Sequence, residues 1–203
     1  MSLDGFIAGP NQSEENPLGE GGEQLHEWAL GLEAWRRPHG HEGGEVNAST
    51  EIMEESQANL GATLMGRNMF GGRGPWGDDP WNGWWGTDPP FHRPVFILTH
   101  HARERVTMEG GTSFNFVTEG IESALEQARE AAGDEDVGLS GGADVAQQYL
   151  KAGLIDEIQL HLVPVLLGDG ARLFDGIDPG RELEIDRVVT SPAVTHLRYL
   201  VKK

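Results

Sequence analysis

The stretch VGLSGGADVAQQYLKAGLIDEIQLHLVPVLL, residues 137–167, decides the fold of this chain. It contains an apolar strand, a Ser-Gly-Gly turn, an amphipathic helix over residues 143–151 and a second apolar strand. Because glycine lacks a Cβ, Gly141 and Gly142 allow a sharp turn and let a ligand approach the main chain. The helix start beyond them offers unpaired N–H groups, which suit a pyrophosphate. The pattern predicts a phosphate-binding turn, with a plain strand-to-helix connection as the alternative.

The rest of the chain alternates short apolar strands with amphipathic helices, which is typical of an α/β domain. We expect a single domain over residues 1–203, with loop insertions at about 33–48 and 71–94. The predicted strands lie at 62–65, 95–99, 114–117 and 157–165, with a C-terminal pair near 183–189 and 194–201. The other predicted helices lie at about 50–59 and 121–132.

The composition narrows the class of partner. The chain has 33 Asp and Glu against 15 Lys and Arg, a formal charge of −18, which disfavours binding to nucleic acid or anionic membranes. No apolar run approaches the roughly 20 residues of a membrane span, and no signal peptide pattern is present. With no cysteine, the chain has no disulfide or thiolate metal site. We therefore predict a soluble, cytoplasmic protein that binds a small molecule and no metal.

Polar residues follow two of the predicted strands. Arg67 comes directly after the strand that ends in Gly66, while Thr99, His100 and Arg103 follow the next one. Open α/β sheets bind ligands at the carboxyl ends of their strands, and the arginine fork suits a phosphate. These side chains predict a site for the 2′-phosphate of NADP. The alternatives are a surface ion pair for Arg67 and an exposed histidine pair, or half of a metal site, after the second strand.

Five motifs in order resemble the reductase domain of riboflavin biosynthesis, the C-terminal domain of the bifunctional deaminase-reductase, within the dihydrofolate reductase-like superfamily. They are SLDGFIAG (2–9), GATLMGRNMF (61–70), FILTHH (96–101), VGLSGGADVAQQYL (137–150) and GLIDEIQLHLVPVLLGDGARLF (153–174). The resemblance covers nearly the whole chain. It implies an α/β fold with a mostly parallel central sheet flanked by helices and an antiparallel C-terminal strand pair. It also implies hydride transfer from NADPH to a pterin or pyrimidine-type substrate.

The resemblance assigns residues to the NADPH cofactor. The loop at Ile7 and Ala8 matches the backbone that bonds the nicotinamide carboxamide. The strand ends match the 2′-phosphate site, and the glycine turn matches the pyrophosphate site. The predicted cofactor set is Ile7, Ala8, Arg67, Thr99, His100, Arg103, Ser140, Gly141, Gly142, Ala143, Asp144 and Val145.

The resemblance also suggests substrate and catalytic residues. Asp4 and Phe70 fall near the substrate, and the loop at Leu166 and Leu167 closes over it. Folate reductases keep a proton-donating carboxylate in the helix before the MGR strand. A gapless count places Thr50 there, with Glu51 next to it, so Asp4 and Glu51 are the predicted catalytic residues. The alternative for Glu51 is a surface carboxylate at a helix start.

The chain departs from the family pattern in two further ways. It begins at MSLD, so most of the family's first strand is expected to be missing, and the zinc motif of the deaminase half is absent. The insertion at 71–94 carries four tryptophans. We predict that Trp76 contacts substrate, because aromatic faces stack on planar heterocycles. The alternative is that these tryptophans pack the loop onto the body or onto a second subunit.

The predicted function is an NADPH-dependent oxidoreductase, most like 5-amino-6-(5-phosphoribosylamino)uracil reductase. The alternatives are a dihydrofolate reductase-like enzyme with another substrate and a nucleotide-binding module without turnover. The strand at 158–167 is apolar on both faces, which places it in the interior or at an interface. Together with the resemblance, this predicts a homodimer.

Overall fold

The computed structural model describes residues 1–13, 15–71, 74–78, 81–177 and 180–202. Within these ranges, no helix is long and apolar enough to cross a membrane. The chain divides into two compact units, residues 58–146 and residues 1–57 with 147–203.

The helices and strands follow one another along the whole chain. In chain order they are β1 (Phe6–Ala8), α1 (Glu27–Leu30), α2 (Glu33–Arg36), α3 (Ala48–Ala58), β2 (Leu60–Gly66), α4 (Arg67–Phe70), β3 (Pro94–Leu98), β4 (Val106–Thr107), β5 (Ser113–Val117), α5 (Ile121–Ala132), β6 (Asp136–Leu139), α6 (Ala143–Lys151), β7 (Glu157–Leu162), β8 (Ala171–Arg172), β9 (Leu183–Ser191) and β10 (Val194–Val201). Short 3₁₀ turns lie at Gly22–Leu25, Arg37–His39 and Glu109–Gly111.

The unit formed by residues 58–146 is built on a five-stranded sheet. Its strand order is β4-β5-β3-β2-β6, and all neighbours are parallel except β4 and β5. Nearly every residue of β2 is buried, as expected for a central parallel strand covered on both faces. Helix α5 packs against β2 and β3 through a small, apolar face. That face consists of Ala124, Leu125, Ala128 and Ala132.

The core of this unit is aromatic, and the insertion adds to it. Phe70 and Phe114 lie in the buried cluster, and Trp76 and Trp85 pack against it. Phe91 packs there too, so the insertion at 71–94 packs onto the body of its own unit through three aromatic rings. Residues 72, 73, 79 and 80 of the insertion lie outside the described residues.

The other unit, residues 1–57 and 147–203, contains two antiparallel sheets. One has the order β7-β10-β9 and the other pairs β1 with β8. The predicted strand at 157–165 ends at Leu162, because Pro164 has no N–H to donate to a ladder. Beyond it, Val163 makes an isolated parallel bridge with Ser2. The predicted α/β fold, with a mostly parallel sheet and an antiparallel C-terminal pair, is confirmed.

Candidate functional site

The glycine turn connects β6 to α6 in the unit 58–146. Gly141 has a φ of +110°, a conformation that side chains rarely adopt, and its peptide bond to Gly142 is cis. The N–H of Gly66 donates to the Gly141 carbonyl at 2.7 Å, and the N–H of Ser140 donates to the Leu64 carbonyl at 3.0 Å. These two bonds hold the turn at the end of β2.

The start of α6 packs directly on the end of β2. A Cβ added to Gly66 would lie 2.8 Å from Cγ2 of Val145, so the close approach requires glycine. A Cβ added to Gly142 would meet nothing within 4 Å, so space is open beside the turn. The first N–H groups of a helix have no partner in the helix itself, so the start of α6 offers donors of the kind that bind a pyrophosphate.

Two arginines share one indole ring in the same unit. The guanidinium carbon of Arg67 lies 3.6 Å from the ring centroid of Trp76, and that of Arg103 lies 4.7 Å from it. Arg103 also lies 4.9 Å from the ring of Phe116, which itself contacts Trp76 at 5.0 Å. We call Arg67, Trp76, Arg103 and Phe116 the arginine–tryptophan cluster. It follows the ends of β2 and β3, where the sequence predicts a phosphate site.

The turn after β3 supports this cluster. The N–H of His101 donates to the buried Thr99 hydroxyl at 3.2 Å, and the His101 carbonyl accepts the indole N–H of Trp76 at 2.9 Å. Thr99 thus shapes the turn that anchors Trp76. His100 is exposed at this turn, and among the described residues no hydrogen bond or ring contact joins it to the cluster.

Asp4 binds the loop after β7 in the unit 1–57 and 147–203. Its carboxylate accepts the N–H groups of Leu167 at 3.1 Å and Gly168 at 2.8 Å. The Ser2 hydroxyl and these two N–H groups lower the pKa of Asp4 to about 2. Asp4 is therefore ionised at neutral pH, as suits a carboxylate that holds a loop. Its predicted catalytic role stays a prediction.

The other residues predicted in this unit occupy different environments. Ile7 is half-buried and Ala8 is buried in β1, whereas Leu166 is 71% exposed beside Leu167. Glu51 is exposed on α3, whose buried face instead carries Ser49, Thr50 and Ile52. The predicted contacts with nicotinamide and substrate, and the predicted catalytic role of Glu51, stay predictions.

A hydrogen-bonded chain of two buried residues and one half-buried residue extends from α3 into the three-stranded sheet. The Ser49 hydroxyl lies 2.9 Å from Nε2 of His196, whose Nδ1 lies 2.7 Å from Nδ1 of His161. The indole of Trp28 packs against both imidazoles. Burial and the neighbouring His196 lower the pKa of His161 to about 4, and burial lowers the pKa of His196. Both rings are therefore neutral at neutral pH. We call Ser49, His196 and His161 the histidine chain.

The comparisons with known proteins agree with this fold. The model of the RibD C-terminal domain matches residues 1–197. The chain belongs to the RibD C-terminal domain family. A curated relative, the uncharacterized protein YyaP of Bacillus subtilis (strain 168), is 28% identical over 107 residues. That match covers 51% of this chain and 55% of YyaP.

Solved structures share the fold at low sequence identity. A protein of Shewanella sp. PV-4 that carries the name of a riboflavin biosynthesis protein aligns over 100% of this chain and 96% of its own, with a TM-score of 0.62 and 22% identity. RibD of Acinetobacter baumannii, form 2, has a TM-score of 0.58 and 16% identity. The diaminohydroxyphosphoribosylaminopyrimidine deaminase/5-amino-6-(5-phosphoribosylamino)uracil reductase of Thermotoga maritima has a TM-score of 0.56 and 14% identity. This chain is covered to 99% in both, and spans about half of each, 55% and 54%.

In this RibD C-terminal domain, Arg67, Arg103 and the turn at Thr99 meet at Trp76, and the glycine turn of the same unit is bonded to Gly66. Trp76, predicted as a substrate contact, has its ring contacts with the two arginines and with Phe70 and Phe116. Phe70 itself is fully buried in the core. Within the described residues, no group of three His, Asp or Glu could hold a metal ion.

The sequence did not predict the histidine chain of this RibD C-terminal domain. His161 and His196 are directly opposite each other on β7 and β10, so the strand register would have paired them. Ser49 has no such signal, because a helix and a strand far apart in the sequence share no local pattern.

Proposed function

We propose that this domain is an NADPH-dependent reductase that transfers hydride to a pyrimidine-type substrate, most like 5-amino-6-(5-phosphoribosylamino)uracil reductase. The proposal keeps the cytoplasmic location predicted from the sequence. The observation that carries it is the arginine–tryptophan cluster in the same unit as the glycine turn. Membership of the RibD C-terminal domain family supports the reaction class. The Thermotoga relative, of which this chain spans 54%, bears the name of such a reductase together with that of a deaminase.

The residues of the unit 58–146 fit the phosphates of the cofactor. A helix start offers N–H donors that suit the pyrophosphate, and the space at the Gly142 Cβ position before α6 is open. Arg67 follows Gly66, whose N–H is bonded to the turn, so Arg67 lies one residue beyond this cradle. Arg67 and Arg103 supply the charged donors that distinguish a 2′-phosphate from a hydroxyl. When bound, NADPH supplies the hydride, and this chain binds and orients it.

Asp4 has a defined role in the proposal. Its ionised carboxylate holds the N–H groups of Leu167 and Gly168 and so fixes the loop that the resemblance places over the substrate. The exposed side chain of Leu166 lies next to this anchor and is available to cover a planar ring. The proposed substrate contacts are therefore Leu166 and Leu167.

A second candidate is a dinucleotide-binding module without turnover. It is favoured by the ionised state of Asp4 and the exposure of Glu51, because a proton donor needs a proton and a place beside the substrate. The same observations also leave room for a related reductase with a different substrate. Turnover separates these candidates.

The test begins with calorimetric titration of the protein with NADPH and NADH. We expect NADPH to bind more tightly, and Arg67→Ala to weaken NADPH about 30-fold while NADH changes less than about threefold. Arg105→Ala, which removes an exposed arginine from the same segment, is the matched control. Sustained NADPH oxidation with a phosphoribosylaminopyrimidine substrate would support the reductase. Tight NADPH binding without turnover on pyrimidine and pterin substrates would favour the module.

The proposal includes a homodimer formed through the three-stranded sheet. Leu183, Ile185 and Val188 of β9 are exposed, by 41%, 66% and 53%. They share one face of the sheet, because their partners on β10 lie two residues apart. An apolar face of this kind is typical of an interface between copies. We expect a dimer by light scattering, and a monomer after Ile185→Asp; a wild-type monomer at high concentration would contradict the dimer.

A further inference from the structure

Trp76 lies between the two arginines of the proposed cofactor site and the core of its unit. Its ring centroid is 3.6 Å from the guanidinium carbon of Arg67 and 4.7 Å from that of Arg103. Both side chains are cations, so a group that attracts both must present a negative potential to them. The negative face of an indole does this without adding a charge.

The indole is itself held in place. Its N–H donates to the His101 carbonyl at 2.9 Å, and its ring meets Phe70 at 6.1 Å and Phe116 at 5.0 Å in edge-to-face contacts. The side chain is thus fixed by residues of α4, of β5 and of the turn after β3. An arginine that packs on such a ring is therefore held against a fixed surface.

Among the described residues, the hydrogen bonds of Arg103 involve neutral acceptors. It donates to the Trp81 carbonyl at 2.5 Å and to the amide oxygen of Asn82 at 2.5 Å, both of which are neutral. A guanidinium has five N–H groups, so two such bonds orient it and leave further donors. In a chain with a formal charge of −18, a cation held this way is suited to a dianion.

A phosphate monoester is the dianion that this chemistry fits, and it has two possible sources. One is the 2′-phosphate of NADPH, and the other is the ribose 5-phosphate of a phosphoribosyl substrate. The position of Arg67 favours the cofactor, because Gly66 before it is bonded to the Gly141 carbonyl of the glycine turn.

We propose that Trp76 is a positioning residue for cofactor specificity: its indole holds Arg67 and Arg103 together so that both bind the 2′-phosphate of NADPH. This inference rests on the proposed function. It gives Trp76 a role different from the substrate contact that the sequence predicts. It also makes NADPH preference depend on a residue that need not touch the cofactor.

The experiment is calorimetric titration of the wild type, Trp76→Ala and Trp76→Phe with NADPH, NADH, adenosine 2′,5′-bisphosphate and ribose 5-phosphate. We expect Trp76→Ala to weaken NADPH and adenosine 2′,5′-bisphosphate about tenfold and to leave NADH within about twofold. Trp76→Phe keeps an aromatic face and should recover part of the loss. Thermal unfolding followed by circular dichroism verifies that each variant is folded.

Trp84→Phe is the matched control. Trp84 lies in the same insertion and donates its N–H to the Met69 carbonyl at 3.0 Å, but its ring contact is with Trp81. It should leave the ratio of NADPH to NADH affinity unchanged.

Three results would overturn the inference while leaving the proposed function intact. The first is an equal loss of affinity for NADPH and NADH in Trp76→Ala. The second is unchanged affinity for both dinucleotides in a folded Trp76→Ala. The third is weaker binding of ribose 5-phosphate with unchanged binding of adenosine 2′,5′-bisphosphate. Failure of the wild type to bind either dinucleotide would instead overturn the proposed function and the inference together. The two failures are therefore distinguished by the wild-type titration.

Discussion

The arginine–tryptophan cluster and the histidine chain hold polar side chains in two different ways. In the first, the partly buried guanidiniums of Arg67 and Arg103 lie against the neutral ring of Trp76. In the second, buried polar groups bond to one another and stay neutral. A buried polar group that is satisfied internally stabilises the fold, whereas a charged group with spare donors favours binding. Variants of the arginine–tryptophan cluster should therefore change NADPH affinity, and variants of the histidine chain should change the unfolding free energy.

The largest effect is expected at Gly66, which packs against Val145 of α6 and is bonded to the glycine turn. In Gly66→Val the new side chain would collide with Val145, which lies 2.8 Å from the position of the added Cβ. We expect unfolding free energy to fall by about 2–3 kcal/mol. NADPH and NADH should both weaken about 100-fold or more, because the start of α6 is displaced from the end of β2. Urea unfolding and calorimetry measure the two effects.

Gly77→Ala is the control for this variant, since a Cβ at Gly77 would meet nothing within 4 Å. If Gly66→Val bound both dinucleotides as well as the wild type, the packing of α6 on β2 would be irrelevant to binding.

The next effect concerns acid stability and the histidine chain. The folded pKa of His161 is about 4, below the unfolded value of 6.5, so its contribution to stability is complete above pH 6.5. As pH falls from 6.5 towards 4, the unfolded chain gains a proton that the folded chain does not. We expect the unfolding free energy of the wild type to fall by about 2–3 kcal/mol over this range because of His161. In His161→Gln this loss should disappear, as measured by urea unfolding at several pH values.

The exposed His39 provides the comparison, because His39→Gln should leave the wild-type pH profile unchanged. An unchanged acid loss in His161→Gln would show that other groups carry it.

A smaller and more local effect is expected at Asp4. Asp4→Ala removes the acceptor for the N–H groups of Leu167 and Gly168. Because each lost hydrogen bond makes local opening easier, the two amides should exchange with solvent about tenfold faster by NMR. Asp169→Ala serves as the control, since Asp169 accepts the N–H of Gly170 instead. Unchanged exchange in Asp4→Ala would mean that the loop is held by other contacts.

The smallest effect is expected from a surface ion pair. Nη1 of Arg187 lies 2.6 Å from Oε2 of Glu55, but the two side chains are 40% and 54% exposed. Arg187→Met should therefore change unfolding free energy by less than about 1 kcal/mol at physiological salt. Arg37→Met, which breaks the similar pair with Glu54, should behave alike in urea unfolding. A larger loss than in the histidine chain variant would reverse the contrast between buried neutral and exposed charged groups.

Local patterns account for the parts of the fold that the sequence predicted well. Helices α5 and α6 have the predicted bounds, because their apolar periodicity lies within one continuous segment. The glycine turn was found for the same reason: Gly141 and Gly142 lie between the strand and the helix that they connect. Strand β7 was predicted too long, because the apolar run continues through Pro164 after the ladder has ended.

The missed contacts depend on residues that are distant in the sequence. Trp76 meets Arg103 through an insertion that has no periodicity, so composition suggested only an aromatic contact. The histidine chain needs the register of β7 against β10 and also the orientation of α3. Neither is encoded in a short motif. The sequence thus predicted which strand ends carry charge, but not which ring holds those charges together.

The order of the two units along the chain has a consequence for synthesis. Residues 58–146 form one continuous segment inserted between the halves of the other unit. Strand β1 pairs with β8, and Asp4 bonds to Leu167 across a separation of 163 residues. A ribosome therefore finishes every strand of the five-stranded sheet before it makes any sheet partner of β1. Strand β1 therefore has no sheet partner until residues 171–172 of β8 have been synthesised.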